Sequence, residues 1–252
     1  MIDVIVLAGG FAKRMWPLTK DRPKHLLKVG GKTMLSYTLD PLLEMNEIEN
    51  IYISTNTAFG DQFADFIDER YGNDRVKLIV EPTLSEGEKL GSVGGLGYLI
   101  RKEGLNRDTV IIGGDNLFEF HVREAVEVFR RVGRDIVAVF DVKDIEKASL
   151  YGIVDVSDEG IITNFLEKPE DPPSTLAATA FYIFTEDTVK LIISYLDGGG
   201  KKDALGHFIT YLVENKPVYA WSFRGIWFDI GSVDSYREAD EYFTGKGSGD
   251  IK

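Results

Sequence analysis

Residues 4–27 read V-I-V-L-A-G-G-F-A-K-R-M-W-P-L-T-K-D-R-P-K-H-L-L, an apolar strand that runs directly into a glycine-rich and cationic loop. Residues 13–32 contain five Lys and two Arg but one acid, Asp21, so they carry a charge of +6 in a chain whose net charge is −12. Glycine lets backbone N–H groups approach a ligand closely, and Arg and Lys neutralise its remaining charge. The loop is therefore predicted to bind a small polyphosphate.

The composition is that of an ordinary globular protein. Of 252 residues, 44% are hydrophobic and 28% are charged, enough for one large domain or two small ones. The acidic balance argues against nucleic acid or a membrane surface as the partner, since both attract basic faces. No Cys is present, which excludes disulfides, thiolate catalysis and Cys-ligated metals, and three His make a His-rich metal site unexpected. With neither a targeting signal nor a run of about 18 apolar residues, the chain is expected to be cytoplasmic.

Apolar runs and helical patterns alternate through the first half of the chain. The runs V-I-V-L and V-I-I are apolar throughout, which indicates strands covered by helices on both faces. This pattern predicts an α/β fold with a doubly wound, mostly parallel sheet. The predicted strands are residues 3–8, 50–55, 76–81, 109–113 and 135–142, and the predicted helices are 34–46, 58–71, 91–103 and 121–132.

The second half begins with a predicted β-hairpin, residues 151–156 and 161–167 around the turn S-D-E-G. No repeat or long linker separates the halves, so a single domain over residues 1–244 is expected, with a first part over 1–142 and a second over 143–232. A frayed tail is expected for 245–252. The other predicted elements are strands 178–184 and 218–223, a short apolar stretch 226–230, and helices 186–196, 204–214 and 233–243.

The loop after the first strand is expected at the carboxyl edge of the sheet, where open α/β folds bind ligands. A Gly-Gly turn alone would equally fit a solvated basic surface. The loop contains neither G-x-x-x-x-G-K-[ST] nor G-x-G-x-x-G, which argues against a P-loop ATPase and an NAD enzyme.

The loop resembles the signature of sugar-1-phosphate nucleotidyltransferases, L-A-G-G-x-G-x-R-x-x-P-L-T followed by P-K-x-L. This chain has L-A-G-G-F-A-K-R-M-W-P-L-T at residues 7–19 and P-K-H-L at 23–26. The third family glycine is Ala12 here, and alanine tolerates a positive φ poorly, so a slightly reshaped loop is expected. The resemblance extends over residues 7–232. It implies nucleotide binding by Leu7, Ala8, Gly9, Gly10, Arg14 and Lys24.

Two acidic residues lie in motifs of the same family. Asp115 follows an apolar strand in G-G-D-N-L-F, and Asp229 lies in W-F-D-I-G-S. Taken alone, either Asp would be a turn or helix-terminal residue. The family has a metal-binding Asp in a G-D-N element and a second in W-x-D-x-G. The resemblance therefore implies that Asp115 and Asp229 hold Mg²⁺, a cation that prefers oxygen ligands.

The motif E-K-P at residues 167–169 resembles a sugar-binding element of the family. By itself it would be a charge pair at the end of a strand. In the family, the Glu contacts sugar hydroxyls and the Lys contacts the sugar phosphate. The resemblance implies these roles for Glu167 and Lys168 and makes residues 143–232 the sugar-binding part.

Two further motifs resemble the lining of the family's sugar pocket. Y-G-I-V at residues 151–154 implies sugar-phosphate binding by Tyr151 and Gly152. A-T-A-F-Y at residues 178–182 implies the same for Thr179. A family glycine is Ala180 here, so the identity of the sugar is less safely transferred.

Residues 81–95 resemble the region that reads the nucleotide base. The resemblance implies nucleotide contacts by Glu81, Leu90, Gly91 and Ser92. Many mannose-type guanylyl members read L-G-T-A-G, which is near the L-G-S-V-G of this chain, whereas thymidylyl and uridylyl members typically place a Gln near Ser92. The elements G-D-N-L-F and Y-G-I-V are nearer to the thymidylyl and uridylyl members. The choice of base is therefore open.

The resemblance is nearest to glucose-1-phosphate thymidylyltransferases. It implies a Mg²⁺-dependent reaction of an NTP with a sugar 1-phosphate to give an NDP-sugar and pyrophosphate. Glucose 1-phosphate with dTTP or UTP is the expected pair, and mannose 1-phosphate with GTP is the alternative. The implied catalytic residues are Arg14, Lys24, Asp115 and Lys168.

Three other activities fit the residues less well. A nucleotidyltransferase for another phosphate, such as phosphocholine, is disfavoured by the E-K-P and Y-G elements, and a glycosyltransferase by the lack of a D-x-D element. A catalytically silent binding paralogue should have lost Arg14, Lys24 or a metal Asp, and all are present. Homo-oligomers are common in the family, while a C-terminal β-helix domain is not expected here.

Overall fold

Strands and helices alternate along the chain, as the periodicity predicts. The computed structural model describes residues 1–72 and 74–247. Within these residues no helix is long and apolar enough to cross a bilayer. The strands are β1 (Ile2–Leu7), β2 (Lys28–Val29), β3 (Lys32–Thr33), β4 (Ile48–Asn56), β5 (Val76–Glu81), β6 (Thr109–Gly113), β7 (Asn116–Phe118), β8 (Ile136–Asp141), β9 (Gly152–Val156), β10 (Ile162–Glu167), β11 (Leu176–Phe184), β12 (Tyr219–Ser222) and β13 (Trp227–Asp229). The helices are α1 (Met34–Leu43), α2 (Gly60–Arg70), α3 (Ser92–Glu103), α4 (Val122–Val132), α5 (Ile145–Ala148), α6 (Glu186–Asp197), α7 (Leu205–Asn215) and α8 (Val233–Gly247), with short 3₁₀ helices at Lys13–Met15, Lys24–Leu26 and Glu86–Glu88.

Nine of the described strands form one sheet. Its main path is β10-β9-β11-β6-β1-β4-β5, with β8 joined to β11 and β12 to β8. Strands β5, β4, β1 and β6 are parallel, whereas β11 runs antiparallel to β6, β8 and β9. The predicted α/β fold with a doubly wound, mostly parallel core is confirmed. The hairpin β9–β10 continues the same sheet through β11.

Both faces of the parallel strands are buried, which explains why these strands are apolar throughout. In β1, Val4 and Val6 belong to a core that includes side chains of α1, α2 and α4. Ile5 belongs to a second core, formed with side chains of α3, α6 and α7. Because successive side chains of a strand point to opposite faces, each layer of helices needs its own apolar set.

A small two-stranded sheet closes the carboxyl edge of the main sheet. Strand β7 pairs antiparallel with β13, and Asp229 lies opposite Asn116. Helix α8 then returns toward β2, where Asp240 accepts a hydrogen bond from Gly30 N at 2.8 Å and Tyr236 OH donates to Lys28 O at 2.7 Å. The last helix is therefore held against β2 and the turn that follows it.

The largest differences from the predicted boundaries are at the ends of two helices. Helix α1 ends at Leu43, three residues earlier than predicted. Helix α8 continues to Gly247, so residues 245–247, predicted to fray, are helical. The rest of the predicted tail, residues 248–252, lies outside the described residues.

Candidate active site

The residues that follow the parallel strands converge on one cleft of about 490 Å³. In the sheet, Leu7 of β1 lies beside Ser54 of β4 and Gly113 of β6, so these strands end at the same edge. The sequence-predicted residues that line the cleft are Leu7, Gly9, Gly10, Lys24, Glu81, Gly91, Ser92, Asp115, Tyr151, Gly152, Glu167, Lys168 and Asp229. The predicted residues outside the lining are Ala8, Arg14, Leu90 and Thr179.

Lys24 and Asp115 form an ion pair at the centre of the cleft. Lys24 Nζ donates to Asp115 Oδ2 at 2.7 Å and to the Ile230 carbonyl oxygen at 2.8 Å. The Lys24 side chain is 9% exposed and the Asp115 side chain 31%. One ammonium group therefore contacts segments that are 91 and 206 residues away in the chain.

The strand pair β7–β13 brings the second aspartate to the first. Asn116 Nδ2 donates to Asp115 Oδ1 at 2.8 Å, and Trp227 Nε1 donates to Asn116 Oδ1 at 2.7 Å. Ile230 N donates to the Asp115 carbonyl oxygen at 3.0 Å. These bonds hold the segment of Asp229 next to Asp115.

The pKa values of the two carboxyl groups are shifted in opposite directions. Burial would raise the pKa of Asp115, but Lys24, His25 and the hydrogen bonds from Lys24 and Asn116 together lower it. Burial and then the charge of Asp115 raise the pKa of Asp229, which Lys24 and Lys168 only partly oppose. Two acids held together in this way favour a cation between them. Within the described chain no cluster of three or more His, Cys, Asp or Glu could hold a metal, so the pair would need further ligands from substrate or water.

The glycine loop keeps a left-handed residue at its tip despite the alanine there. Ala12 has φ 46° and ψ 41°, a conformation that alanine tolerates poorly. The Ala12 carbonyl oxygen accepts hydrogen bonds from Met15 N at 2.9 Å and Thr19 Oγ1 at 2.8 Å. These two bonds offset the cost of about 1–2 kcal/mol that an L-residue bears in this region.

Ala8 and Arg14 belong to the loop without lining the cleft. Ala8 is buried, and it anchors the loop because its N–H donates to the Ser54 carbonyl oxygen at 2.7 Å. Arg14 is exposed on the 3₁₀ helix that follows Ala12. The structure therefore does not bring Arg14 together with Lys24 and Asp115.

Glu81, the last residue of β5, forms the cleft wall beside the glycine loop. Its side chain is buried, and its Oε1 accepts a hydrogen bond from Ser54 Oγ at 2.7 Å. A Cβ at Gly95 would lie 2.5 Å from the same oxygen, so only glycine lets α3 pack against this carboxylate. Burial raises the pKa of Glu81, and the hydrogen bond from Ser54 opposes this effect.

The turn before α3 is held by the loop between α6 and α7. Ser92 N and Oγ both donate to the Asp203 carbonyl oxygen at 2.9 Å, and Val93 N donates to the Lys202 carbonyl oxygen at 3.0 Å. Gly91 and Ser92 therefore face the main cleft, while Leu90 lines a neighbouring depression with Tyr98 and Lys202.

The opposite side of the cleft is built by the hairpin β9–β10. Lys168, directly after β10, has φ 48° and donates its N–H to the Tyr151 carbonyl oxygen at 3.1 Å. The Tyr151 ring packs against Trp227 with a centroid distance of 4.8 Å. A left-handed non-glycine residue turns the chain sharply, and here it places the Lys168 ammonium among the lining residues.

Glu167 lies against the first turn of α7. A Cβ on Gly206 would overlap Glu167 Oε2, so glycine at position 206 leaves room for this carboxylate. Both residues line the cleft together with Leu205. The arrangement fixes the Glu167 carboxylate in the cleft wall.

Thr179 does not face the cleft, contrary to its predicted contact with the sugar phosphate. Its side chain is fully buried, and its Oγ1 donates to the Ala138 carbonyl oxygen at 3.0 Å. Its neighbours Ala178 and Ala180 line the cleft instead. Because side chains of a strand alternate between faces, Thr179 must point away when both neighbours point in.

Several lining residues were not predicted from the sequence. His25 is buried next to Lys24, and its Nδ1 has no hydrogen-bond partner. Burial, assisted by Lys24 and partly opposed by Asp115, lowers the pKa of His25 to about 4, so the ring is neutral. The positions of His25 in P-K-H-L, Asn116 in G-D-N and Trp227 in W-F-D were usable signals, whereas no motif marked residues 203–206. The other unpredicted lining residues are Ala12, Lys89, Gly113, Asn116, Leu150, Phe165, Ala178, Ala180, Tyr182, Asp203, Ala204, Leu205, Gly206 and Trp227.

Comparison with known families places the chain. Residues 3–245 match the model of the nucleotidyl transferase family. The chain belongs to this family. The resemblance of its loop and acidic motifs to sugar-1-phosphate nucleotidyltransferases is confirmed.

Relatives of this nucleotidyl transferase carry several specificities. It is 29% identical over 184 residues to a UTP–glucose-1-phosphate uridylyltransferase, AglF, of Haloferax volcanii, covering 73% of this chain and 72% of the relative. It is 28% identical over 237 residues to a Sulfolobus acidocaldarius protein provisionally named as a mannose-1-phosphate guanyltransferase, covering 94% of this chain and 61% of that protein. A structure of UDP-glucose pyrophosphorylase complexed with UDP-glucose superposes with a TM-score of 0.81 at 23% identity, covering 98% of this chain and all of that one.

The match to longer relatives is partial. The chain spans 61%, 56% and 55% of the length of three curated relatives that it matches, two of which are bifunctional GlmU proteins from methanogens. The structural similarity, at less than 25% identity, shows the fold.

Proposed function

We propose that this nucleotidyl transferase transfers a nucleotidyl group from an NTP to a sugar 1-phosphate, giving an NDP-sugar and pyrophosphate. The observation that supports it best is the meeting of Lys24, Asp115 and Asp229 in one cleft. The glycine loop lies on one side of these residues, and Lys168 and Glu167 lie on the other. Two phosphate-bearing substrates are thereby offered separate cationic contacts on either side of a carboxylate pair.

The reaction needs positioning and charge neutralisation more than proton transfer. An oxygen of the sugar phosphate, already anionic at pH 7, forms a bond to the α-phosphorus, and the bond from that phosphorus to the bridging oxygen of the β-phosphate breaks. No general base is therefore required. Two phosphate charges about 4 Å apart repel by roughly 4 kcal/mol at an effective dielectric near 20, which the site must offset.

Different cationic side chains and backbone N–H groups are proposed to contact different phosphates. Lys24, buried and held by two acceptors, is proposed to contact the α-phosphate where negative charge grows during the reaction. Lys168 is proposed to bind the sugar phosphate, and backbone N–H groups of Gly9 and Gly10 the nucleotide phosphates. Arg14, exposed on the same loop, is proposed for the β- and γ-phosphates.

Asp115 and Asp229 fit a Mg²⁺ ion. They supply carboxylate oxygens only, and Mg²⁺ commonly uses one or two carboxylates together with substrate phosphates and water. When bound, such an ion acts as a Lewis acid and template on the phosphates it contacts. Asn116 and Trp227 support this assignment, since their hydrogen bonds fix the Asp115 carboxylate.

Two pairs of substrates are proposed for the reaction. Glucose 1-phosphate with dTTP or UTP is supported by the G-D-N-L-F and Y-G-I-V elements. Mannose 1-phosphate with GTP is supported by the L-G-S-V-G turn and by the carboxylate of Glu81 in the cleft wall. The protein is proposed to act without nucleic acid or membrane partners and to work in the cytoplasm.

The test is pyrophosphate release from each of five NTPs with a panel of sugar 1-phosphates. We expect release that requires both substrates and Mg²⁺ and stops with EDTA. Asp229→Asn should lower kcat by about 10²-fold, whereas Asp234→Asn, at a side chain 90% exposed on α8, should not change it. Absence of release from every pair would favour a silent binding paralogue instead.

A further inference from the structure

A second depression, of about 650 Å³, lies beside the main cleft along one side of α3. Small-molecule sites commonly have volumes of about 300–1,000 Å³. The lining of this α3 depression includes one acid, Asp197, and four cationic residues: Lys89, Arg101, Lys102 and Lys202. In a chain whose net charge is −12, this local excess of positive charge favours an anionic ligand.

Two of these cations have no acidic partner. Arg101 forms an ion pair with Asp197, whereas no Asp or Glu of the described chain pairs with Lys102 or Lys202. Cations in the last turn of a helix interact favourably with the helix dipole, which accounts for Arg101 and Lys102 at the end of α3. Lys89 and Lys202 lie outside the helices, so the dipole does not explain why they gather at the same depression.

The unpaired cations lie at opposite ends of the depression. A Cβ on Gly94 would lie 3.5 Å from the Cβ of Lys202, which places Lys202 at the first turn of α3. Lys102 follows two helical turns later, a rise of about 12 Å from Gly94. Tyr98 lies between the two ends, and the Lys102 ammonium is 5.6 Å from the centre of its ring. A ligand that fills the depression therefore meets positive charge at each end and an aromatic ring in the middle.

The loop that carries Lys202 also forms a wall of the main cleft. The Lys202 carbonyl oxygen accepts hydrogen bonds from Val93 N at 3.0 Å and from Gly94 N at 3.2 Å. The next residue, Asp203, lines the main cleft, and its carbonyl oxygen accepts the hydrogen bonds from Ser92. The two cavities are therefore separated by one hydrogen-bonded partition.

Lys89 lines both cavities. Its Nζ lies 2.8 Å from Glu86 Oε1, but the two side chains are 54% and 38% exposed, and such exposed pairs contribute little to stability. The ammonium group can therefore pair with an anion in either cavity, but only in one at a time. An anion in the depression would withdraw this positive charge from the main cleft.

We propose that the α3 depression binds a small organic bisphosphate, with one phosphate at Lys202 and the other at Arg101 and Lys102, and that this ligand weakens the binding of an NTP in the main cleft. The weakening rests on the proposed function, since it takes the main cleft to hold an NTP. A phosphate group at each end of the ligand matches the separation of the cations, which a single phosphate does not span. Tyr98 provides a polar contact between them, because its hydroxyl group has no hydrogen-bond partner among the described residues.

Calorimetry with two synthetic probes tests the site without turnover. Hexane-1,6-diol bisphosphate carries a phosphate at each end and hexyl phosphate carries one, so the bisphosphate should bind about 10-fold more tightly. The double variant Lys102→Gln/Lys202→Gln should bind the bisphosphate about 10- to 100-fold more weakly. The matched control Arg130→Gln/Arg131→Gln removes two exposed cations from the last turn of α4 and should leave this affinity within about 2-fold. Lys168→Gln, in the main cleft, should leave it unchanged as well.

Three results would overturn the site. They are equal affinity for the two probes, equal affinity of the wild type and the Lys102→Gln/Lys202→Gln variant for the bisphosphate, and a loss of bisphosphate binding in Lys168→Gln, which would place the probe in the main cleft. The comparison of the two probes uses the unaltered chain, so it stays decisive if a variant folds poorly.

Titration of GTP and UTP with and without saturating bisphosphate tests the weakening. We expect the bisphosphate to raise the Kd of the bound nucleotide about 5-fold in the wild type and to have no effect in the Lys102→Gln/Lys202→Gln variant. An unchanged Kd in the wild type would overturn the weakening. Bisphosphate binding by a protein that binds no NTP would overturn the proposed function and the weakening together, and would leave the bisphosphate site standing.

Discussion

Replacing Lys24 by Met should damage both folding and catalysis, by different amounts. Two unit charges 2.7 Å apart, as in Lys24–Asp115, attract by about 6 kcal/mol at an effective dielectric near 20. Most of that is cancelled by the desolvation of two buried charges. Removing one partner of a buried pair costs about 3–5 kcal/mol, because the other charge is left uncompensated. Since the Asp115 side chain is 31% exposed, we expect the smaller value of about 1–3 kcal/mol in the free energy of unfolding.

A double-mutant cycle isolates this effect. Urea unfolding of wild type, Lys24→Met, Asp115→Asn and the double variant should give a coupling energy of about 1–3 kcal/mol. Pyrophosphate release by Lys24→Met should fall by about 10²- to 10³-fold even under conditions where the variant is fully folded. Lys20→Met, at an exposed lysine of the same loop, is the matched control and should change neither quantity. Additive unfolding energies, or turnover within a few-fold of wild type, would refute the reasoning.

Three further substitutions separate the site from its scaffold. Gly206→Ala should raise the KM for sugar 1-phosphate about 10-fold in steady-state kinetics, because the new methyl group displaces Glu167. The control Gly87→Ala, where the space is open, should leave the KM unchanged. An unchanged KM in Gly206→Ala would contradict the proposed contact of Glu167 with the sugar. Thr179→Val should lower the free energy of unfolding by about 1 kcal/mol, because the hydrogen bond to the Ala138 carbonyl oxygen is lost. The KM for sugar 1-phosphate should not change, and a raised KM would mean that Thr179 contacts the substrate after all. Lys216→Met should lower the free energy of unfolding in urea by about 2 kcal/mol, since Lys216 Nζ lies 2.8 Å from the fully buried Asp135. The kcat should not change. Equal stability would mean that the three hydrogen bonds from Thr185 and Thr188 are enough to stabilise the Asp135 carboxylate.

The layered sheet and most of the site could be predicted because their signals are local. An apolar strand such as β1, buried on both faces, has a composition that an exposed strand cannot have. The loop after it has glycine and cations in nearly consecutive positions, so the proposed phosphate site could be predicted from one segment. Lys24, Asp115, Lys168 and Asp229 line one cleft even though they come from four separate segments. Asp115 follows β6 and Lys168 follows β10 in the main sheet, whereas Lys24 lies in a 3₁₀ helix and Asp229 ends β13 of the small sheet.

One site prediction failed on the direction of a side chain, and the loop at Ala12 shows an energy balance that the sequence does not reveal. Thr179 was assigned to the cleft by motif alone, although alternation along β11 places Ala178 and Ala180 there and Thr179 in the core. Ala12 was expected to reshape the loop because alanine is strained at positive φ. That strain is real, but the hydrogen bonds from Met15 and Thr19 offset it, and no pattern in the sequence measures such a balance.

The position of Asp229 shows why the remainder needed the structure. Its strand β13 is three residues long and pairs with β7. The two strands are far apart in the sequence, since Trp227 and Asn116, which are hydrogen-bonded between them, are separated by 111 residues. Lys24 then bonds the carbonyl oxygen of Ile230, directly after β13, as well as the Asp115 carboxylate. The same ammonium group that would act on the α-phosphate therefore holds the two aspartate segments together. A residue with both duties must be tested by stability and by turnover separately, because a loss of activity alone would not say which duty had failed.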